Sequence, residues 1–95
     1  MSAYVVIDLD VEDRPALEEY GRAVPSIVAK YEGRYLVRGG QIEVLEGDWK
    51  PKRLIVYEFP TTDAARRWHE SEEYRPFRAT RQRAAHANIV LVEGV

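Results

Sequence analysis

Apolar and polar positions alternate along Tyr4–Asp10, which predicts a strand. Val5, Ile7 and Leu9 then share one face, and Tyr4, Val6, Asp8 and Asp10 share the other. The spacing next changes to steps of three and four. Leu17, Tyr20, Val24, Ile27, Val28 and Tyr31 form one apolar helical stripe, opened by Asp13 as N-cap with Pro15 in the first turn. Pro25 interrupts this helix. It removes a hydrogen bond to Gly21 and predicts a kink or a division in two. Gly33 is the expected C-terminal stop.

Arg34–Arg38 reads as a second strand. Gly39-Gly40 permits a turn or bulge, after which Gln41–Glu46 is expected to continue extended, with Ile42 and Val44 on one side. Gly47–Lys52 is a connection, and Arg53–Phe59 is the clearest strand, stopped by Pro60. Thr61 or Thr62 caps a short helix with Ala64, Ala65 and Trp68 inward. Ser71-Glu72-Glu73 makes a turn, Pro76 opens a helix to Ala85, and Asn88–Glu93 is the last strand. The order gives a single α+β domain over residues 1–95. Its expected fold is a ferredoxin-like βαββαβ sandwich, a four-stranded antiparallel sheet with helices on one face.

The strands add a second expectation. Leu54–Phe59 and Ile89–Val92 are apolar at successive positions, so both sheet faces want cover. Helices cover one. A second copy, packed sheet against sheet about a twofold axis, is expected to cover the other. Length agrees: 95 residues bury only about 60–65% of the unfolded surface. No cysteine is present to add disulfides or thiolate metal sites. With 14 basic and 16 acidic residues, the net charge of −2 gives nonspecific nucleic-acid binding no footing. No stretch has the length of a membrane span, and no basic-then-apolar leader opens the chain, so a cytoplasmic location is the expectation.

Several segments resemble the domain-of-unknown-function family 1330. They are Gly33–Gly40, Glu58-Phe59-Pro60 ahead of Trp68, Ser71–Tyr74, the run of Arg81, Ala84 and Ala85, and the closing Val90–Gly94. Glu32 and Glu72 depart from the family pattern at two turns. The resemblance implies the dimeric α/β-barrel superfamily. That group includes cofactor-free monooxygenases, isomerase-like proteins and haem-binding enzymes. It implies no particular reaction.

The candidate site residues follow from chemistry. Arg81 sits centrally on an otherwise apolar helix stripe, so its guanidinium must meet an anion or a wet cavity. It is read either as a ligand-binding group or as half of a salt bridge to Glu58, Asp8 or Glu43. Arg38 ends a strand where Gly39 lets a ligand approach the backbone, or is a solvated edge charge. Glu58 is the candidate general base, or else an internal ion-pair partner, and Tyr20 is its catalytic companion near the proline. Trp68 and Tyr74 are candidate substrate contacts, with core or interface as the other reading. His69 and His86 match no metal spacing, so neither metal nor cofactor is expected. Two functions fit. One is a cofactor-free oxygenase or isomerase acting on a small anionic, carbonyl-containing or aromatic molecule. The other is a non-enzymatic dimer binding a metabolite or a protein.

Overall fold

The computed structural model describes residues 1–95. Strand β1 (Ala3–Val11) leads into α1 (Arg14–Lys30) and β2 (Arg34–Arg38). A long loop reaches β3 (Arg53–Phe59), followed by α2 (Thr62–Glu70), α3 (Arg75–Ala84) and β4 (Ala85–Glu93). The antiparallel sheet has the order β2-β3-β1-β4, which is the expected ferredoxin-like arrangement with one extra helix. The slab is only 16 Å through its thinnest axis, one sheet and one layer of helices.

The alternation in β1 is realised in the burial. Ala3, Val5, Ile7 and Leu9 are buried under the helices, and Tyr4, Val6 and Asp8 are half-buried on the other side. Ile55, Tyr57 and Phe59 of β3 also face the helices. The centre of the core is aromatic. Trp68, Tyr57, Tyr74 and Phe59 are fully buried, and Trp68 lies tilted against Tyr74 with ring centroids 4.3 Å apart. Each such ring contributes on the order of 1.5–3 kcal/mol by leaving water.

Asp13 caps α1 as predicted, accepting a hydrogen bond from the Ala16 amide at 3.2 Å. The expected break at Pro25 does not occur, because α1 runs unbroken from Arg14 to Lys30. One carbonyl is left over inside the helix, that of Gly21, four residues before Pro25. Its C-terminus is a Schellman turn, in which Gly33 donates to the Val28 carbonyl and Glu32 to that of Ala29, both at 2.9 Å. The left-handed residue of this turn is Glu32 (φ 67°), not Gly33. Gly33 answers a packing need instead. A Cβ there would stand 2.5 Å from Phe59 Cε1 and 2.7 Å from Val28 Cγ1.

Two further expectations change. Gln41–Glu46 pairs with nothing, and Ile42, Val44 and Leu45 are exposed. The outer edge of β2 therefore stays unpaired, and β3 takes its inner edge, between β2 and β1. The bulge also sits earlier than Gly39-Gly40. Tyr35 pairs with Tyr57 and Val37 with Val56, so Leu36 is the inserted residue. β4 begins at Ala85, directly after α3, because Ala85 already pairs with Val11.

Gly33→Ala is expected to lower stability by about 1–3 kcal/mol through overpacking against two buried side chains. Gly40→Ala, with open space at its Cβ position, serves as the control and should stay within about 0.5 kcal/mol. Urea unfolding midpoints check both, and equal midpoints would contradict the packing role of Gly33.

Candidate functional site

The bulge at Leu36 decides where Arg38 points. In a regular strand, residues three apart lie on opposite faces. With Leu36 inserted, Tyr35 and Arg38 face the same way, opposite Tyr57 and Ile55 on the helix-covered side. Arg38 lies over the Tyr35 ring, its Cζ 4.8 Å from the centroid. From there Nη2 donates to the Gly21 carbonyl at 2.8 Å. This is the carbonyl that Pro25, lacking an amide proton, cannot serve. Two irregularities of sequence thus complete each other across the gap between α1 and β2.

That gap is an open cleft of about 900 Å³. Leu9, Leu17 and Ile55 line it with apolar surface, and Tyr20 and Tyr35 add phenols. Arg14, Arg22, Arg38, Lys52 and Arg53 also line it, against only Asp10 and Glu18. None of these cations takes part in a salt bridge; elsewhere Lys30, Arg34, Arg67 and Arg75 do, and Lys50, Arg66, Arg78, Arg81 and Arg83 do not. Gly39, at φ 72°, supplies the turn at the end of β2, and a Cβ there would lie 2.8 Å from Arg53 Cζ. The missing side chain leaves room for the Arg53 guanidinium at the cleft.

Behind the cleft lies a buried polar cluster. Tyr20 and Tyr74 place their hydroxyl oxygens 2.6 Å apart. Arg81 Nε donates to Tyr74 Oη at 3.4 Å, and Tyr57 donates to Tyr35 Oη at 3.3 Å. Burial, and then the neighbouring Tyr74, push the Tyr20 phenol well above its ordinary pKa, while the Arg81 charge pulls it back. Burial raises the Tyr57 and Tyr35 phenols as well. These groups remain protonated donors at neutral pH. His69 is held below its usual value by burial first and then by the charges of Arg78 and Arg81.

The structure brings together only part of the predicted set. Tyr20, Arg38 and Gly39 line the cleft. Tyr74 and Arg81 stand behind Tyr20, connected to it by hydrogen bonds. Trp68 is a core residue with its indole nitrogen buried and unpartnered. It borders a separate, smaller cavity of about 150 Å³. Glu58 is not beside Tyr20. It lies on the open sheet face, bonded to Arg34 Nε at 2.7 Å and to Tyr4 Oη at 3.3 Å. The Arg34 bond is the main reason its carboxyl is held below the usual range. The salt bridge considered between Arg81 and Glu58, Asp8 or Glu43 does not form, because Arg81 is 4% exposed on the helix side and pairs with no carboxylate. Asp8 instead accepts from the Trp49 indole at 2.9 Å, and His86 pairs with Glu12 at 2.8 Å. The sequence reading missed Arg53 and Lys52. It also missed the row Arg14, Glu18, Arg22 at four-residue spacing beside the apolar stripe of α1, which was its one available signal.

The match to known proteins agrees with this fold. The chain belongs to the family described as domain of unknown function DUF1330, matched over residues 2–95. A Rhodopseudomonas palustris protein of unknown function superposes with TM-score 0.78 at 18% identity, covering 99% of this chain and 82% of that one. A dimeric ferredoxin-like protein of unknown function from Jannaschia sp. CCS1 gives TM-score 0.66 at 13% identity, covering 99% and 100%. SnoaB, a cofactor-independent oxygenase from Streptomyces nogalater, gives 0.58 at 16%, covering 99% and 93%. At these identities the likeness establishes the fold. No curated protein matches the chain.

The Arg38–Gly21 bond is testable as a coupling. Arg38→Met is expected to cost about 1 kcal/mol of unfolding free energy. In a Pro25→Ala background, residue 25 regains an amide that can serve Gly21, and the same Arg38 change should cost close to nothing. Equal costs in both backgrounds, measured by urea unfolding, would contradict the assignment.

Proposed function

We propose that this chain binds a small organic anion with an apolar or aromatic body, in the cleft between α1 and the sheet. The observation that carries the reading is a cleft lined by five cations outside any salt bridge, against two carboxylates, together with apolar side chains and two phenols. A cluster with an excess of like charges is destabilising unless something negative occupies it. Arg38 and Arg53 offer planar donor forks suited to a carboxylate or enolate. Leu9, Leu17 and Ile55 would hold the body of the ligand, with Tyr20 and Tyr35 at its polar end. In the catalytic form of this reading, Tyr20 donates to a ligand oxygen, and the reaction is a cofactor-free oxygenation or isomerisation. The likeness to SnoaB supports that class through the fold. The second reading is binding without turnover. Its support is that Glu58, the candidate base, lies on the far side of the sheet and is occupied by Arg34.

The working unit in both readings is a homodimer joined through the open sheet face. Val37, Val56, Val6 and Val90 fall in one row across all the strands. Val90 and Val92 are 57% and 50% exposed. All helices lie on the other side of a thin slab, and a ferredoxin-like neighbour is dimeric. Val90→Lys should shift micromolar protein from dimer to monomer in sedimentation velocity. A wild-type protein that sediments as a monomer at that concentration would contradict the dimer.

Titration with 4-nitrophenolate, an aromatic oxyanion, tests the binding reading. Affinity should fall between low salt and about 0.15 M salt, as exposed charges are screened. Arg38→Met and Arg53→Met should each weaken binding roughly tenfold. Affinity unchanged by salt and by both substitutions would contradict the reading. Oxygen uptake with electron-rich phenols and no added cofactor, abolished in Tyr20→Phe, would favour the catalytic form over simple binding.

A further inference from the structure

Arg81 is the least explained charge in the molecule. It is 4% exposed and forms no salt bridge. A buried guanidinium without a carboxylate is costly, and removing it in favour of an apolar residue often stabilises a protein. Its single hydrogen bond within the protein runs from Nε to Tyr74 Oη. Tyr74 is itself fully buried and does not reach the cleft. Its hydroxyl lies 2.6 Å from that of Tyr20, which does line the cleft.

Either hydroxyl of the Tyr20–Tyr74 pair can be the donor; with Tyr74 Oη accepting from Arg81, one arrangement has Tyr74 giving its proton to Tyr20. Tyr20 then has its proton free for a further acceptor. Tyr35 stands in the same position: it lines the cleft and accepts from the fully buried Tyr57. Each cleft phenol is therefore backed by a buried one. Hydrogen-bond chains of this kind strengthen the terminal donor, most of all when a cation heads the chain and water is excluded.

We infer that Tyr20 and Tyr35 form a two-phenol oxyanion site at the inner end of the cleft, and that Arg81 and Tyr74 are positioning residues that polarise Tyr20 from behind. The preferred ligand group is a single localised oxyanion, an enolate or phenolate oxygen, which two convergent O–H donors can meet. The arginines that line the same cleft suit a second, more delocalised charge. The inference rests on the anion-binding reading of the cleft and specifies the chemistry of its inner end. No proton or electron changes owner in this arrangement; the donors only stabilise charge already on the ligand.

The test again uses 4-nitrophenolate with the full-length protein, scored by affinity and by the absorption band of the bound probe. Stronger donation to the phenolate oxygen moves that band to shorter wavelength. Tyr20→Phe should weaken binding roughly tenfold. Tyr74→Phe, which does not touch the cleft, should weaken it severalfold and move the bound band back toward longer wavelength. The Tyr20→Phe/Tyr74→Phe double variant should lose no more than Tyr20→Phe alone, because both act through one oxygen. Arg81→Lys keeps the charge and should retain most of the band shift, whereas Arg81→Met should lose it. Tyr→Phe changes preserve ring packing, so the Tyr74 result stands even where Arg81→Met fails to fold. Unchanged affinity and band in Tyr74→Phe would overturn the inference, and so would additive losses in the double variant. Binding that depends on Arg38 and Arg53 but on neither Tyr20 nor Tyr74 would leave the cleft reading standing and overturn the oxyanion site alone. A wild-type protein that binds no probe would overturn both.

Discussion

The carbonyl of Gly21 has no amide donor in its own helix, and the shape of the cleft depends on how that deficit is met. Pro25 creates it. Arg38 meets it from a neighbouring strand. For this to happen, β2 must present Arg38 on the helix side, which the bulge at Leu36 provides. The bond joins α1 to the end of β2 through an arginine side chain. A cleft lies between them, bordered by the residues on either side of the bond. The same geometry puts a stacked arginine over Tyr35 at the wall of that cleft.

The two faces of the sheet carry different burdens. Under the helices, an aromatic cluster of Trp68, Tyr57, Tyr74 and Phe59 supplies the core of a small domain. The hydroxyls of Tyr57 and Tyr74 point that cluster toward the cleft through Tyr35 and Tyr20. Core packing and the polar site are therefore one continuous structure. On the open face, the row of valines is flanked by a second row in which Arg34, Glu58, Tyr4 and Val92 are register neighbours. There Glu58 answers Arg34, and its charge is spent locally.

How much of this was legible beforehand depends on the period of the signal. Alternation marks β1, a continuous apolar run marks β3, and the order of strands and helices implies the topology. A two-residue period cannot say which group meets the helices, so it does not reveal that Glu58 lies on the face away from Tyr20. Pro25 announced a lost hydrogen bond with Gly21 but not that a distant arginine would replace it, because that partner is set by tertiary contact. Gly39-Gly40 drew attention as the irregular point of β2, while the actual bulge fell on Leu36, a residue with no conformational mark. Arg81 was recognised as anomalous from its place on an apolar stripe. Its partner, a phenol from the turn before α3, was not, since hydroxyls leave no charge pattern to pair with.

The most direct test of the central claim, that the cleft is an anion site, is a map of amide chemical shifts during titration with 4-nitrophenolate. The account predicts that the changes cluster at Gly21, Arg38, Gly39, Arg53 and Ile55, the backbone bordering the cleft. Changes confined to the open face at Val6, Val56 and Val90, or none at all at saturating probe, would contradict it.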